Sequence, residues 1–361
     1  MRFPRGIAGS AERERLRPPW PAGPEACEMA AGGNERQLSM AEAINEALRE
    51  EMRRDERVIL LGEDVGVLGG IYRVTKGLLE EFGPERVIDT PISEEGFTGA
   101  AIGLAIMGFR PVVEIMYADF LANCMNQLVN FAAKMRYMSG GQLKVPLVVR
   151  TMMAHGRGHG GDHSQVPIPW FLNVPGLKLV APSTPYDAKG LLKAAIRDDA
   201  PVIYFEPYVL YRVKGPVPED EYVIPLGEAD VKREGDDITI VAISAMVPRA
   251  LEAAEKLAEE GVSAEVVDPR TIVPLDEEAI LRSVMKTNRL LIVEYSHKRG
   301  GVGAEIAALV VEKAFDYLDA PILRLASPDV PIPVSAPLGQ LTLPSVEDIV
   351  RAARSLVLGQ V

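Results

Sequence analysis

Residues 58–61 are Val58-Ile59-Leu60-Leu61, and the pattern that starts with this apolar stretch decides the fold. Val87-Ile88 follows it, then a glycine-rich helical pattern over residues 96–107, then a third apolar run at residues 111–115. Short β-branched runs that alternate with helical patterns predict a parallel sheet covered by helices. The first half of the chain is therefore predicted to be an α/β domain.

The same alternation resumes in the second half of the chain. Between the halves lies an acidic segment with prolines at positions 216, 218 and 225, which predicts a linker rather than a long helix. We therefore predict two three-layer α/β domains with parallel or mixed sheets, at residues 39–215 and 236–361, joined by a linker at residues 216–235.

Composition and charge narrow the class of protein. The chain has 361 residues, 47% of them hydrophobic, and a net charge of −12, which is a poor match for nucleic acid. Two cysteines, Cys27 and Cys124, argue for a reducing compartment and against structural disulfides. No apolar run approaches the roughly 20 residues needed to span a bilayer. These features predict a cytoplasmic protein with neither a nucleic-acid nor a membrane partner.

Residues 1–38 differ from the rest of the chain. They mix arginines and glutamates around Pro18-Pro19-Trp20-Pro21 and show no sustained hydrophobic period. This pattern predicts a disordered leader, and a start assigned too early, with Met29 or Met40 as the true start, is equally consistent with it. Order is predicted to begin at Ser39, because Ser39 and Glu42 have the spacing of a capping box.

Residues 154–165 hold three of the four histidines, His155, His159 and His163. Their i, i+4, i+8 spacing would align metal ligands on a helix, but each of four interposed glycines costs a helix about 1 kcal/mol relative to alanine. A loop that closes over a substrate is the better prediction, with an imidazole available for proton transfer or anion binding. The alternatives are a solvated surface loop and a stand-alone histidine metalloenzyme.

Two acidic residues, Glu94 and Glu95, follow the predicted strand at residues 87–88. Ligands bind at the carboxyl edge of parallel sheets, so Glu94 could share a proton with a bound heterocycle there. The alternative is that both glutamates only stabilise the first turn of a helix, which we favour for Glu95.

Two common phosphate-binding patterns are absent from the sequence. No Gly-x-Gly-x-x-Gly follows a strand, and no phosphate loop ends in Gly-Lys-Ser/Thr. The late Gly300-Gly301-Val302-Gly303 run is consistent with tight packing of a strand against a helix. A Rossmann dehydrogenase or a P-loop enzyme is therefore disfavoured.

Several separate motifs, in order along the chain, carry a family resemblance. They are Leu61-Gly62-Glu63-Asp64-Val65-Gly66, residues 89–103, Arg136-Tyr137-Met138-Ser139-Gly140-Gly141, His163-Ser164-Gln165, residues 182–192, and Gly301-Val302-Gly303-Ala304-Glu305-Ile306. From about Ser39 onward the chain resembles the beta subunit of the thiamin-diphosphate-dependent decarboxylating component of a 2-oxoacid dehydrogenase complex. This family is transketolase-like, which implies a pyrimidine-binding domain followed by a transketolase C-terminal domain.

The resemblance also implies partners and a reaction. In the family an alpha subunit with a Gly-Asp-Gly motif supplies the diphosphate and magnesium site, and this chain has no Gly-Asp-Gly. The expected assembly is a two-alpha, two-beta heterotetramer that decarboxylates pyruvate and acylates a lipoyl group on a dihydrolipoyl acyltransferase core. Branched-chain 2-oxo acids or acetoin are alternative substrates, and a non-catalytic docking subunit is the alternative of another class.

Residue roles carry over by motif. The resemblance implies that Glu94 bonds the pyrimidine N1′, that Phe120 stacks on the pyrimidine with Met116 nearby, that His163 is the active-site histidine, and that Glu63 helps to relay protons. It also implies a structural potassium ion at the backbone carbonyls of four residues. These are Leu147, Ala195, Ile196 and Asp198, with Ala200 where the family often has asparagine.

Overall fold

A computed structural model of the chain describes residues 36–360. The strands are β1 (Gln37–Ser39), β2 (Val58–Gly62), β3 (Val87–Asp89), β4 (Arg110–Ile115), β5 (Val148–Met153), β6 (Lys178–Val180), β7 (Val202–Pro207), β8 (Lys214–Pro216), β9 (Asp230–Arg233), β10 (Ile238–Ala242), β11 (Ala264–Asp268), β12 (Thr271–Val273), β13 (Leu290–His297) and β14 (Leu323–Ser327). The α-helices are α1 (Met40–Arg54), α2 (Leu78–Phe82), α3 (Glu94–Ile106), α4 (Met135–Met138), α5 (Pro185–Arg197), α6 (Val247–Glu259), α7 (Glu277–Thr287), α8 (Val302–Ala314), α9 (Ala336–Gln340) and α10 (Val346–Val357). The predicted fold class, two α/β domains, is confirmed. None of the helices formed by residues 36–360 is long and apolar enough to cross a membrane.

A seven-stranded sheet forms the core of the first half, in the order β12-β6-β7-β5-β4-β2-β3. From β6 to β3 every neighbouring pair is parallel, and β12 runs antiparallel to β6 at the edge. All residues of β2, β5 and β7 are buried, because helices cover both faces of the sheet. The carboxyl ends of β2 to β5 consequently lie along one edge.

A five-stranded sheet forms the core of the second half, in the order β14-β13-β10-β11-β9. Only β9 is antiparallel to its neighbour. Strand β9 lies inside residues 216–235, which the sequence predicted to be a linker throughout. Its residues, Asp230-Val231-Lys232-Arg233, are mostly charged, so an edge strand there gave no apolar signal.

Strand β12 connects the two halves. It comes from the second half of the chain, after β11, yet it pairs with β6 of the first sheet, with Thr271 opposite Val180 and Val273 opposite Leu179. A strand of three residues is too short to show a period, so the sequence did not predict this crossing.

Ordered structure begins before the predicted boundary. Strand β1 pairs with β8, and the Arg36 guanidinium donates to both carboxylate oxygens of Glu46 at 2.7 and 2.8 Å. The predicted capping box is confirmed, since the Ser39 side chain accepts from the Glu42 backbone amide and the Glu42 carboxylate accepts from the Ser39 amide. The rest of the predicted leader, residues 1–35, lies outside the described residues.

A buried ion-pair cluster ties the middle of the first sheet together. The Arg150 guanidinium on β5 donates to both carboxylate oxygens of Glu206 on β7, at 2.7 and 2.9 Å, and to Glu114 on β4 at 2.8 Å. The Tyr211 hydroxyl donates to Glu206 at 2.6 Å. Burial alone would lower the pKa of Arg150, but the two carboxylates outweigh it and raise that pKa. Arg150 therefore carries its charge in the core.

Glu294 explains the late glycine run. Its carboxylate accepts from the backbone amides of Val302 and Gly303, at 3.0 and 2.9 Å, at the start of α8. A Cβ on Gly301 or Gly303 would lie 2.5 or 2.8 Å from this carboxylate. The prediction of tight strand-to-helix packing is confirmed, and an internal carboxylate occupies the helix N-terminus where a phosphate would bind in other folds.

Candidate active site

Four neighbouring parallel strands end at one edge of the first sheet, and a candidate segment follows each of them. Glu63 comes directly after β2, and Glu94 opens α3 just after β3. Met116 follows β4, and the histidine segment at residues 154–165 follows β5. Ligands bind at the carboxyl ends of parallel strands, so the topology brings the predicted candidates to the place where a site is expected.

Asp89 fixes the loop that carries Glu63. Its carboxylate, at the end of β3, accepts from the backbone amide of Gly66 at 2.7 Å and from that of Val67 at 3.2 Å. A Cβ on Gly66 would lie 2.8 Å from an Asp89 oxygen, so only glycine allows this approach. The loop after β2 is thereby held against the end of β3, beside the start of α3.

Glu63 and Glu94 form an acidic pair at this edge. Glu94 is 8% exposed, and no donor within residues 36–360 hydrogen-bonds to its carboxylate. Burial raises the pKa of Glu63, and the negative charges of Glu94 and Asp64 raise it further. The two carboxyl groups are therefore close enough for the charge of one to affect the other.

Cys124 lies near Glu94. It ends the 3₁₀ segment Ala118–Cys124, which packs against α3. The pKa of the Cys124 thiol is raised to about 12, mainly by burial and in part by the nearby negative charges of Glu94 and Glu95. The cysteine is therefore a neutral thiol and not a nucleophile.

His163 lies in an aromatic group with Tyr117 and Phe120. The centre of its ring is 4.9 Å from that of Tyr117 and 5.1 Å from that of Phe120, both in edge-on contact. Its Nδ1 is 3.1 Å from the carboxylate of Asp162, and its side chain is 38% exposed. His163 is thus positioned by aromatic rings on one side and open to an approaching group on the other.

Buried polar atoms without a partner surround these residues. The backbone amide of Gln165 donates to one Asp119 oxygen at 3.1 Å, which ties the histidine segment to the segment that carries Phe120. The other Asp119 oxygen has no partner, and the same is true of Glu63 Oε1, Thr90 Oγ1 and Ser164 Oγ within the described residues. Unsatisfied buried groups are rare in folded proteins, so their concentration here points to a polar ligand.

Comparison with protein families finds two models that match successive parts of the chain. The model described as "Transketolase, pyrimidine binding domain" matches residues 36–214, and that described as "Transketolase, C-terminal domain" matches residues 227–349. The beta-1 subunit of the mitochondrial pyruvate dehydrogenase E1 component from Arabidopsis thaliana is 50% identical over 90% of this chain and 90% of its own length. The 2-oxoisovalerate dehydrogenase subunit beta of Bacillus subtilis is 51% identical over 83% of this chain and 92% of its own.

The chain belongs to the transketolase-like dehydrogenase beta-subunit family. The beta subunit of an acetoin:2,6-dichlorophenolindophenol oxidoreductase from Bacillus subtilis is 49% identical over 89% of this chain and 98% of its own length. A split-gene transketolase, solved as an inactive beta4 tetramer, superposes with a TM-score of 0.74 at 23% identity, over 89% of this chain and 98% of its own. That structure supports the fold. The predicted family is confirmed.

A tyrosine chain at the same edge was not predicted from the sequence of this beta subunit. The Tyr72 hydroxyl lies 3.0 Å from the Tyr117 hydroxyl, which lies 3.4 Å from Nδ1 of His159. Met116 lines a small cavity that Tyr72 and Arg150 also line. The tyrosines belong to separate segments without a shared motif, which left no signal in the sequence.

The three clustered histidines of the beta subunit do not form a metal site. The segment is a loop, as predicted, and within residues 36–360 no group of three or more His, Cys, Asp or Glu side chains is arranged to hold a metal ion. His155 is buried against the second half of the chain, whereas His159 and His163 both contact Tyr117. The structure therefore gives no support to a stand-alone histidine metalloenzyme.

The carbonyls predicted to hold potassium have other partners. The Arg110 guanidinium donates to the carbonyls of Ile196 and Asp198, both at 2.9 Å. The Leu147 carbonyl accepts from the Val202 amide, and the Ala195 carbonyl accepts from the Asp198 amide. A guanidinium places a positive charge beside two of the four proposed ligands and would repel a second cation. This arrangement disfavours a potassium ion at these carbonyls.

We expect the thermal stability of this beta subunit to be insensitive to potassium. Replacing about 100 mM KCl with NaCl should shift the unfolding temperature by less than about 1 °C. The reason is that the Arg110 guanidinium already binds the carbonyls of Ile196 and Asp198. Scanning calorimetry in the two salts measures this. An Arg110→Met chain, which lacks this guanidinium, is the matched comparison. If the unfolding temperature of the wild-type chain is several degrees higher in potassium than in sodium, the expectation is contradicted.

Proposed function

We propose that this chain is the beta subunit of a pyruvate dehydrogenase that is active only with an alpha subunit. The acidic pair carries the proposal, because Glu94 is buried at a ligand-binding edge of a pyrimidine-binding domain and has no donor within residues 36–360. The relatives of this chain are beta subunits, which supports an alpha partner. A two-alpha, two-beta stoichiometry follows from the family resemblance.

The residues at the edge fit the pyrimidine half of thiamin diphosphate. Glu94 would hold a ring nitrogen and share a proton with it, since its carboxylate lacks a protein donor. The Phe120 ring would lie against the heterocycle. Glu63, with one unsatisfied oxygen and a raised pKa, would exchange protons with Glu94. The alpha subunit would supply the magnesium and diphosphate site, for which this chain has no Gly-Asp-Gly.

When bound, thiamin diphosphate supplies the carbon that attacks a 2-oxo acid and the electron sink that follows loss of carbon dioxide. The contribution of this chain is to bind and orient the pyrimidine ring, and to move protons at Glu94 and Glu63. His163, partly exposed beside Tyr117, would face an incoming lipoyl group carried by the acyltransferase core and donate a proton to its sulfur.

His163→Ala should separate the two half-reactions. We expect lipoyl acylation to fall by about 10²-fold, because general acid catalysis by an imidazole contributes at least that much. Decarboxylation measured with an artificial electron acceptor should fall far less, because that acceptor needs no proton from His163. Equal losses in the two assays would indicate a role for His163 before the acylation step.

Pyruvate is the proposed substrate. The likeness to branched-chain enzymes includes Glu206 and Tyr211. In the core of the sheet Glu206 accepts from Arg150, and the Tyr211 hydroxyl donates to Glu206. The likeness to pyruvate and acetoin enzymes includes Gly301 and Gly303, which pack on Glu294. One methylene group changes selectivity by about 1–3 kcal/mol, so a direct comparison of substrates distinguishes the three classes. A cytoplasmic location stays a prediction, since the plant relatives are mitochondrial.

Co-expression with the cognate alpha subunit tests the proposal. The assembled enzyme should consume pyruvate with a higher kcat/KM than branched-chain 2-oxo acids or acetoin, and only with thiamin diphosphate and magnesium. A higher kcat/KM for either competitor would assign the enzyme to that class. Thiamin-dependent turnover by the isolated beta chain would contradict the shared site, and no turnover with the alpha subunit would favour a docking subunit.

A further inference from the structure

His155 is the most deeply buried of the three histidines in the segment at residues 154–165, with 3% of its surface exposed. Its Nδ1 lies 3.0 Å from the Tyr295 carbonyl, to which it donates, and its Nε2 lies 2.9 Å from the Thr342 hydroxyl. Tyr295 belongs to β13 and Thr342 follows α9, so both partners lie in the C-terminal domain. A histidine that leaves the sheet of the first domain is therefore hydrogen-bonded to the second domain through both ring nitrogens.

The charge state of the ring agrees with this geometry. The pKa of His155 is lowered to about 4. Burial is the main cause, the neighbouring charges of His297 on β13 and Arg249 on α6 act in the same direction, and the bond to the Tyr295 carbonyl acts in the opposite direction. The imidazole is neutral at physiological pH, with its proton on Nδ1. His155 thus acts as a fixed hydrogen-bonding group and takes no part in proton transfer.

The rest of the loop lies against the same part of the C-terminal domain. The Gln340 side chain donates to the Gly156 carbonyl at 3.4 Å. A Cβ on Gly158 would lie 2.9 Å from the Val334 carbonyl, and one on Gly160 would lie 3.0 Å from the Val334 side chain. Gly158 and Gly160 thus allow the loop to approach the second domain closely.

We propose that His155 is a positioning residue through which the C-terminal domain sets the location of His163. The inference rests on the proposed function of His163 and adds a role for the second domain. His163 lies eight residues after His155, and the intervening loop is in contact with residues 331–342. Loss of the His155 anchor should release the loop and move the His163 ring away from Tyr117 and Phe120.

Two variants, made in the assembled alpha–beta enzyme, test this role. In His155→Ala, amide hydrogen exchange of residues 156–165 should rise by at least about tenfold, while exchange in β2 stays slow. The kcat for lipoyl acylation should fall about tenfold with the KM for the oxo acid unchanged. His155→Asn retains a donor close to the position of Nδ1 and should restore most of both properties.

Thr342→Val removes only the hydrogen-bond partner of His155 Nε2. It keeps the proposal testable if His155→Ala does not fold. It should raise loop exchange by an intermediate amount. Wild-type exchange rates for residues 156–165 in both His155→Ala and Thr342→Val would overturn the proposal, and so would equal activity losses in His155→Ala and His155→Asn. If the wild-type enzyme has no thiamin-dependent turnover but the loop responds as expected, the proposed function fails and the anchoring role stands.

Discussion

Glu94→Gln should reduce thiamin-dependent decarboxylation by at least about 10²-fold in the enzyme assembled with its alpha subunit. An amide has the shape of the carboxyl group but cannot share a proton with a ring nitrogen, and proton transfer by a positioned side chain contributes roughly 10²–10⁴-fold to rates. The fold should be unaffected, since no donor in residues 36–360 depends on this carboxylate. Turnover of pyruvate in single-turnover and steady-state assays measures the loss.

Glu95→Gln is the matched control. Glu95 is the next residue on α3, is exposed, and accepts a hydrogen bond from the Gln127 side chain at 3.0 Å. Its substitution should change turnover by less than about twofold, because a surface contact of this kind contributes little. Turnover of Glu94→Gln at the wild-type level would refute the assignment of the cofactor-binding residue.

The same variant has a second readout that does not depend on turnover. The negative charge of Glu94 helps to raise the pKa of Glu63, so Glu94→Gln should lower the pKa of Glu63 toward its ordinary value. Carbon-13 NMR of labelled glutamate carboxyl groups, titrated in both chains, measures the shift. An unchanged pKa of Glu63 would show that the two carboxyl groups do not interact.

Arg150→Met should lower the free energy of unfolding by about 3–5 kcal/mol, the range for removing one partner of a buried ion pair. Methionine fills much of the volume, but it leaves the Glu206 carboxylate, whose side chain is 1% exposed, without its cation. Urea unfolding of the full chain, followed by circular dichroism, measures the change. Adding Glu206→Gln to Arg150→Met should recover part of the loss, because the uncompensated charge is then removed.

Arg57→Met serves as the control for Arg150→Met. The Arg57 side chain is 60% exposed and pairs with Asp55 at 2.8 Å. A pair so close to solvent is worth about 0–1 kcal/mol, so this variant should unfold close to wild type. Similar losses in Arg57→Met and Arg150→Met would mean that the cluster in the sheet carries no special share of the stability.

The sequence predicted those parts of the molecule that depend on local patterns. The alternation of apolar runs and helical stretches predicted β2, β3, β4 and α3, because a strand buried on both faces must be apolar throughout. The spacing of Ser39 and Glu42 predicted the start of α1. Placing Glu63 and Glu94 at one edge followed from strand order in a parallel sheet, which is a general rule rather than a detail of this chain.

What the sequence did not predict depends on contacts between distant segments. Strand β9 is mostly charged and β12 has only three residues, so neither shows an apolar pattern in the sequence. Each forms a strand because it pairs with a strand from another part of the chain. The Arg110 guanidinium reaches carbonyls that lie 86 and 88 residues away in the sequence. His155 was placed in the loop, but its burial against Tyr295 depends on how the second domain packs, which no local pattern contains.

The crossing of β12 bears on how this protein can be dissected. A fragment that ends at residue 215 would lack β12, which pairs with β6. The edge of β6 would then expose unpaired backbone amides and carbonyls that can pair with other chains. The remaining piece would carry an orphan strand with nothing to pair with. Expressed separately, each fragment should aggregate. Truncation is therefore a poor way to obtain the isolated halves, whereas co-expression allows the two fragments to associate.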